Sequence, residues 1–157
     1  DSDPAGLVCH EPGSLERVGV WNWMLKEWVA GSVIVIPAVV DYEVRRSLIL
    51  AETWESVGRL DALYNHHVRY LPISQGVLMR AAGLWAQARR EHRPTAVDHA
   101  LDGDVILSAQ ALEFCSDTDD WQVINENVDH LARYVGDRAR SRRSVVDDWL
   151  KSTKSIL

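Results

Sequence analysis

Apolar residues in this chain recur at three- and four-residue spacing, interrupted by short β-branched runs, and the alternation predicts helices punctuated by strands. Leu15, Val18, Trp21, Leu25 and Trp28 form the first helical stripe, with Ser14 placed to cap it and Gly31 to end it. Val33-Ile34-Val35-Ile36 then reads as a strand buried on both faces. Pro37 turns the chain into a helix whose apolar positions Val40, Val44 and Leu48 repeat every four. Trp54, Val57, Leu60 and Tyr64 mark a further helix running to about Val68, and Arg69 to Ile73 a short strand. Ser74 caps a long helix with Val77, Leu78, Ala81, Leu84, Trp85 and Ala88 on its inner side. The stretch from Glu91 to Leu101 is polar, rich in His and broken by Pro94, so a loop or a broken helix is expected there. Val105 to Phe114, rich in Ala and aliphatics, should be the most buried helix. The loop Asp117-Thr118-Asp119-Asp120 leads to a strand over Trp121 to Ile124. Strands alternating with helices imply parallel βαβ units.

The two ends read differently. Asp1 to Gly13 carries Pro4, Gly6, Pro12 and Gly13 and is expected as loop with a short turn or two. From Val135 the chain is a basic tail, with a last amphipathic piece around Val145, Val146, Trp149 and Leu150. A parallel sheet of this kind should begin with an apolar strand, and Asp1 stands where such a strand would end. Either an aliphatic segment lies upstream or the first strand is absent.

At 157 residues the chain is the size of one domain, 1–157, with 135–157 as its basic tail or final element. Its net charge of −6 argues against a broad nucleic-acid-coating surface but not against an acidic, metal-holding pocket with local basic residues. Two such groups stand out, Arg80, Arg89, Arg90 and Arg93, then Arg138, Arg140, Arg142 and Arg143, each equally readable as a solvated face. Cys9 and Cys115 form no CxxC and have no spaced His partners, so neither zinc nor a disulfide framework is indicated. Isolated cysteines and the lack of a leader or spanning segment point to the cytoplasm and away from a membrane. His66, His67, His92, His99 and His130 lack metal-ligand spacing and read as surface or loop residues.

The candidate chemistry rests on three distant acids, Asp1, Glu43 and Asp104, each at a strand-to-helix junction or just inside a helix. In an open parallel sheet the carboxyl ends of the strands share one edge, where ligands bind. Carboxylates gathered there repel one another unless a divalent cation neutralises them, and Mg²⁺ or Mn²⁺ prefers such hard oxygen donors. Asp102 beside Asp104 reads as a helix N-cap, Asp3 as a turn residue, and Asp98 as one turn before Asp102 if that stretch is helical.

Four segments carry a family resemblance. They are Asp1-Ser2-Asp3-Pro4-Ala5-Gly6-Leu7, the run from Ile36 to Arg46, the run from Asp104 to Leu112, and Val123 to Leu131. In order and spacing they resemble the PIN-domain family, metal-dependent ribonucleases that include VapC-type toxins. The resemblance implies a three-layer α/β/α domain with a central parallel sheet. It also implies metal-dependent endoribonuclease activity, with Asp1, Glu43 and Asp104 as the metal-binding and catalytic acids. Asn127 stands where an Asp or Asn often completes the metal site, and Asn125 where Thr or Ser is common. Arg45 and Arg46 would steer the RNA backbone. The implied cofactor is Mg²⁺ or Mn²⁺, and the implied partners are an RNA substrate, an antitoxin protein and a second copy of the chain. Two other readings stay open. One is a PIN-like module that binds RNA or protein without turnover, which the neutral Asn127 favours. The other is a haloacid-dehalogenase-like phosphohydrolase, suggested by Asp1-Ser2-Asp3 but lacking a Lys between Arg69 and Leu101.

Overall fold

The computed structural model describes residues 3–9, 13, 15–65, 68–92, 102–116 and 118–154. Helices dominate it, and each strand is short. The order is α1 (Asp3–Cys9), α2 (Leu15–Val29), β1 (Ile34–Pro37), α3 (Ala38–Leu50), α4 (Trp54–Leu63), β2 (Val68–Leu71), α5 (Gln75–Arg90), α6 (Gly103–Phe114), β3 (Val123–Ile124), α7 (Val128–Val135), a 3-10 turn (Gly136–Arg138), β4 (Ala139–Arg140) and α8 (Arg142–Lys154). β1 pairs with β2 in parallel, Ile34 opposite Val68 and Pro37 opposite Leu71. β3 pairs with β4 in parallel, Val123 opposite Ala139. The parallel α/β expectation therefore holds, but the strands form two separate pairs, and no ladder joins them among the described residues.

Several local expectations hold for visible reasons. Ser74 Oγ accepts the Val77 N–H at 3.1 Å and starts α5. Asp102 Oδ1 does the same for the Val105 N–H at 3.3 Å and starts α6. Val105 to Gln110 are all buried, so α6 is the central helix, covered by α5, α3 and α7. Gln110, fully buried, ties it to the strand ends: Nε2 donates to the Leu71 carbonyl at 2.9 Å, and Oε1 accepts from Val39 N–H at 3.4 Å. The amphipathic piece expected near the end is α8, with Val145 buried.

Other expectations are corrected. The segment after Asp1 is not all loop, because Asp3–Cys9 is helical. Pro4 presets the backbone for a first helical turn, and burial of Val8 and Cys9 at 1% and 0% exposure outweighs the helix-weakening Gly6. On α2 the buried residues are Val20 and Met24, whereas Val18, Leu25 and Trp28 of the expected stripe are 49%, 43% and 45% exposed. Apolar residues surround so much of this helix that spacing alone does not select a face. Gly19 selects it: a Cβ there would lie 3.0 Å from a Val146 methyl, so α8 packs against the glycine side. Leu78, expected inside on α5, is 52% exposed. Helix α7 lies in a stretch for which no helix was expected, and strand β4 in the expected basic tail. The cap expected at Ser14 and the residues His66, His67, Arg93, Asp98 and His99 lie outside the described residues. Among the described residues no helix is long and apolar enough to cross a membrane.

Candidate functional site

Glu43 and Asp104 come from opposite halves of the sequence and meet at the start of α6. Pro37 ends β1 and, in an extended conformation, opens α3 directly, which sets Glu43 in the second turn past the carboxyl end of the strand. There Glu43 faces Gly103: a Cβ built on Gly103 would lie 2.5 Å from Glu43 Oε1 and 3.9 Å from a Val39 methyl. A side chain at Gly103 would make the flexible Glu43 carboxylate shift. The Glu43 carboxyl therefore rests on the first turn of α6, where free N–H groups and the helix dipole favour an anion. Asp104 is the next residue, its side chain 13% exposed.

The third wall is α7. Asn125, 0% exposed, ends β3, and its N–H donates to the Arg140 carbonyl at 2.9 Å. Its Oδ1 accepts the Asn127 N–H at 2.7 Å, which folds the chain sharply into α7. Asn127 holds the N-cap position of that helix and is exposed. One turn on, His130 Nδ1 lies 3.0 Å from Asp104 Oδ2. The loop is tied down further by Arg142, whose Nε lies 3.2 Å from Glu126 Oε1 without meeting hydrogen-bond angles. Asn125 Nδ2 is buried and has no hydrogen-bond partner among the described residues.

Of the residues expected at the site, Glu43 lies against Gly103, the residue before Asp104, and Asn127 lies at the start of the adjoining α7. Asp1 lies outside the described residues. Asp102 serves as the α6 cap. Among the described residues no set of three His, Cys, Asp or Glu side chains is close enough to hold a metal. The donor set still suits a hard cation, since Mg²⁺ keeps several waters and is commonly held by one or two carboxylates. Glu43 and Asp104 are carboxylates of that kind. His130 is the residue that spacing missed. The available signal was its place one turn after Asn127, on a helix whose apolar Val128, Leu131 and Val135 face inward.

The arginines after Glu43 part company. Arg45 forms a bidentate pair with Asp41, Nε to Oδ2 at 3.0 Å and Nη2 to Oδ1 at 2.9 Å, and reaches Asp61 Oδ1 at 2.8 Å. The Tyr64 hydroxyl donates to Asp41 Oδ1 at 2.8 Å. Burial draws the Asp41 carboxyl upward, but hydrogen bonds from Arg45 and Tyr64 hold it below the ordinary carboxylate range. Burial and the adjoining carboxylate push the Tyr64 phenol well above its usual value. Arg46 is exposed and stacks over the Tyr42 ring, 5.2 Å from its centroid.

A phenol raised in the folded state contributes stability that is complete below its unfolded value and lost as pH rises. Wild-type unfolding free energy is therefore expected to decline above pH about 10 more steeply than that of Tyr64→Phe. Urea titrations of both proteins across that range check it, and parallel curves would remove Tyr64 from the alkaline response.

An apolar cavity of about 330 Å³ lies elsewhere, lined by Trp21, Met24, Leu25, Trp28, Ile34 and Val68 among others. Ile34 and Val68 begin β1 and β2, so this cavity sits at the amino ends of the strands, opposite the acids. No family model, no curated protein and no solved structure matches this chain.

Proposed function

We propose that this chain is a divalent-metal-dependent endoribonuclease of PIN-like architecture, its two strand pairs belonging to one central parallel sheet between helical layers. The observation that carries the reading is the lodging of Glu43 against Gly103, one residue from Asp104, past the carboxyl end of β1. A divalent cation at that helix start would be held by hard carboxylate oxygens and would neutralise their charge. A bound Mg²⁺ or Mn²⁺ would neutralise charge on a phosphate under attack and acidify a water. Glu43 and Asp104 would hold it, joined by Asp1 and Asn127 in the family pattern. His130 fixes the Asp104 carboxylate through its 3.0 Å contact. RNA is the expected substrate; an antitoxin partner, a homodimer and a cytoplasmic setting follow from the family analogy alone.

The test is incubation of the purified protein with a mixed single-stranded RNA pool in Mn²⁺, in Mg²⁺ and in EDTA. Cleavage in either metal and none in EDTA supports the reading. RNA bound but left intact in every condition would instead favour the binding module. Turnover of a small phosphate ester with no RNA cleavage would favour the phosphohydrolase.

His130 acts through Asp104, so it is a positioning residue. His130→Ala is expected to lower kcat/KM by about 10- to 100-fold and to raise the Mn²⁺ concentration needed for half-maximal activity. An unchanged metal requirement would show that the contact is structural only.

A further inference from the structure

Among the described residues four arginines stack on aromatic rings, and one of the four pairs flanks Glu43. Arg89 lies 3.6 Å from the Trp85 ring centroid and Arg138 4.4 Å from that of Trp121, but both rings are half-buried. Arg69 stacks on Phe114, the last residue of α6, roughly 16 Å along the helix from its start. Tyr42 and Arg46 are different. They sit on α3 on either side of Glu43, one turn apart, and Tyr42 is 52% exposed.

Helix geometry makes Arg46 the neighbour of both Tyr42 and Glu43. Arg46 is four residues from Tyr42 and three from Glu43, the two spacings that bring helical side chains together. A phosphate held by Glu43 and Asp104 through a cation would thus lie beside a guanidinium, with an aromatic ring one step further. Charge strengthens the point. Arg45 is committed to Asp41 and Asp61, whereas among the described residues Arg46 enters no ion pair and touches only the Tyr42 ring. In a chain of net charge −6, that exposed cation next to the acids is well placed for a polyanion.

Single-stranded nucleic acid is bound by this combination of parts, an aromatic face for a base and a cation for the backbone. We infer that Tyr42 and Arg46 form a platform that stacks the base next to the scissile phosphodiester and contacts its phosphate, so that the enzyme requires an unpaired nucleotide there. The inference rests on the ribonuclease reading for the site it adjoins, but its own prediction concerns binding. Tyr42 and Arg46 are positioning residues, and the loss on removing them falls on KM rather than on kcat.

The experiment compares wild type, Tyr42→Ala, Tyr42→Phe and Arg46→Ala, each checked for an unchanged melting temperature. Binding of a fluorescein-labelled single-stranded RNA is followed by anisotropy in EDTA, and cleavage of the same RNA in Mn²⁺. Tyr42→Ala is expected to raise Kd and KM about tenfold, with Tyr42→Phe, which keeps the ring, restoring both to within about twofold. Arg46→Ala should weaken binding and flatten its salt dependence by about 0.7 in logarithmic slope, the signature of one lost phosphate contact. If wild type cleaves and Tyr42→Ala binds and cleaves as wild type does, the platform is overturned while the ribonuclease reading stands. If wild type binds without cleaving and Tyr42→Ala weakens binding, the platform stands and the ribonuclease reading falls. If wild type neither binds nor cleaves single-stranded RNA, both are overturned.

Discussion

Asp104→Asn is expected to lower metal-dependent RNA cleavage by about 10²- to 10³-fold, the scale on which losing a group that stabilises developing charge is felt. The amide keeps the size of the side chain and an oxygen to face His130 Nδ1, so the wall of the site survives. What disappears is the charge. Stability should hardly respond. Asp104 gains only about 0.3–1 kcal/mol from its first-turn position, so losing the charge costs little. A variant that is inactive yet as resistant to urea as wild type is the signature of a residue kept for chemistry. An inactive variant that unfolds several kcal/mol more easily would mean that Asp104 is a structural acid and the activity loss indirect.

Asp41→Ala should act the other way, costing stability heavily while lying away from the proposed chemistry. The carboxylate is 9% exposed and serves both Arg45 and the Tyr64 hydroxyl, so its removal strands two buried or half-buried donors at once. Breaking such a pair typically costs about 3–5 kcal/mol, and the surviving Arg45–Asp61 contact places this case near the lower end, about 3 kcal/mol. Because the Asp41 carboxyl titrates below its ordinary range in the fold, its contribution is complete above that range and is lost as pH falls through it. The deficit of Asp41→Ala in urea unfolding should therefore shrink on acidification and be largest near neutrality. Combined with Tyr64→Phe, the loss should fall short of the sum of the two, since both remove one hydrogen bond. Full additivity would dissolve the proposed network.

How far the sequence revealed this molecule depended on whether local signals had a competitor. The caps at Ser74 and Asp102 and the aliphatic core of α6 were plain, because side-chain chemistry and burial pointed the same way there. The place of Glu43 past the end of β1 was legible too, from Pro37 at the strand-to-helix junction. Failures came where tertiary contacts overrode a local pattern. Buried Val8 and Cys9 make a helix of a stretch that Pro4 and Gly6 mark as turn-like. Gly19, accommodating α8, turns α2 so that Val20 faces inward and Trp28 outward. Strand β4 is two residues long, Ala139 and Arg140, and exists because β3 pairs with it; no residue type announces it. Helix α7 follows the polar run Asn125 to Asn127, and its sidedness brings His130 to Asp104. That contact depends on how α7 leans on α6, which spacing does not encode.

The most direct test of the central claim is a titration with Mn²⁺, read by the loss of its free-ion electron paramagnetic resonance signal. One site should be filled by wild type, weakened about tenfold or more by Glu43→Gln and by Asp104→Asn alike, and weakened by the double variant less than the two losses combined. Wild-type affinity retained in both single variants would show that these carboxylates share no ion.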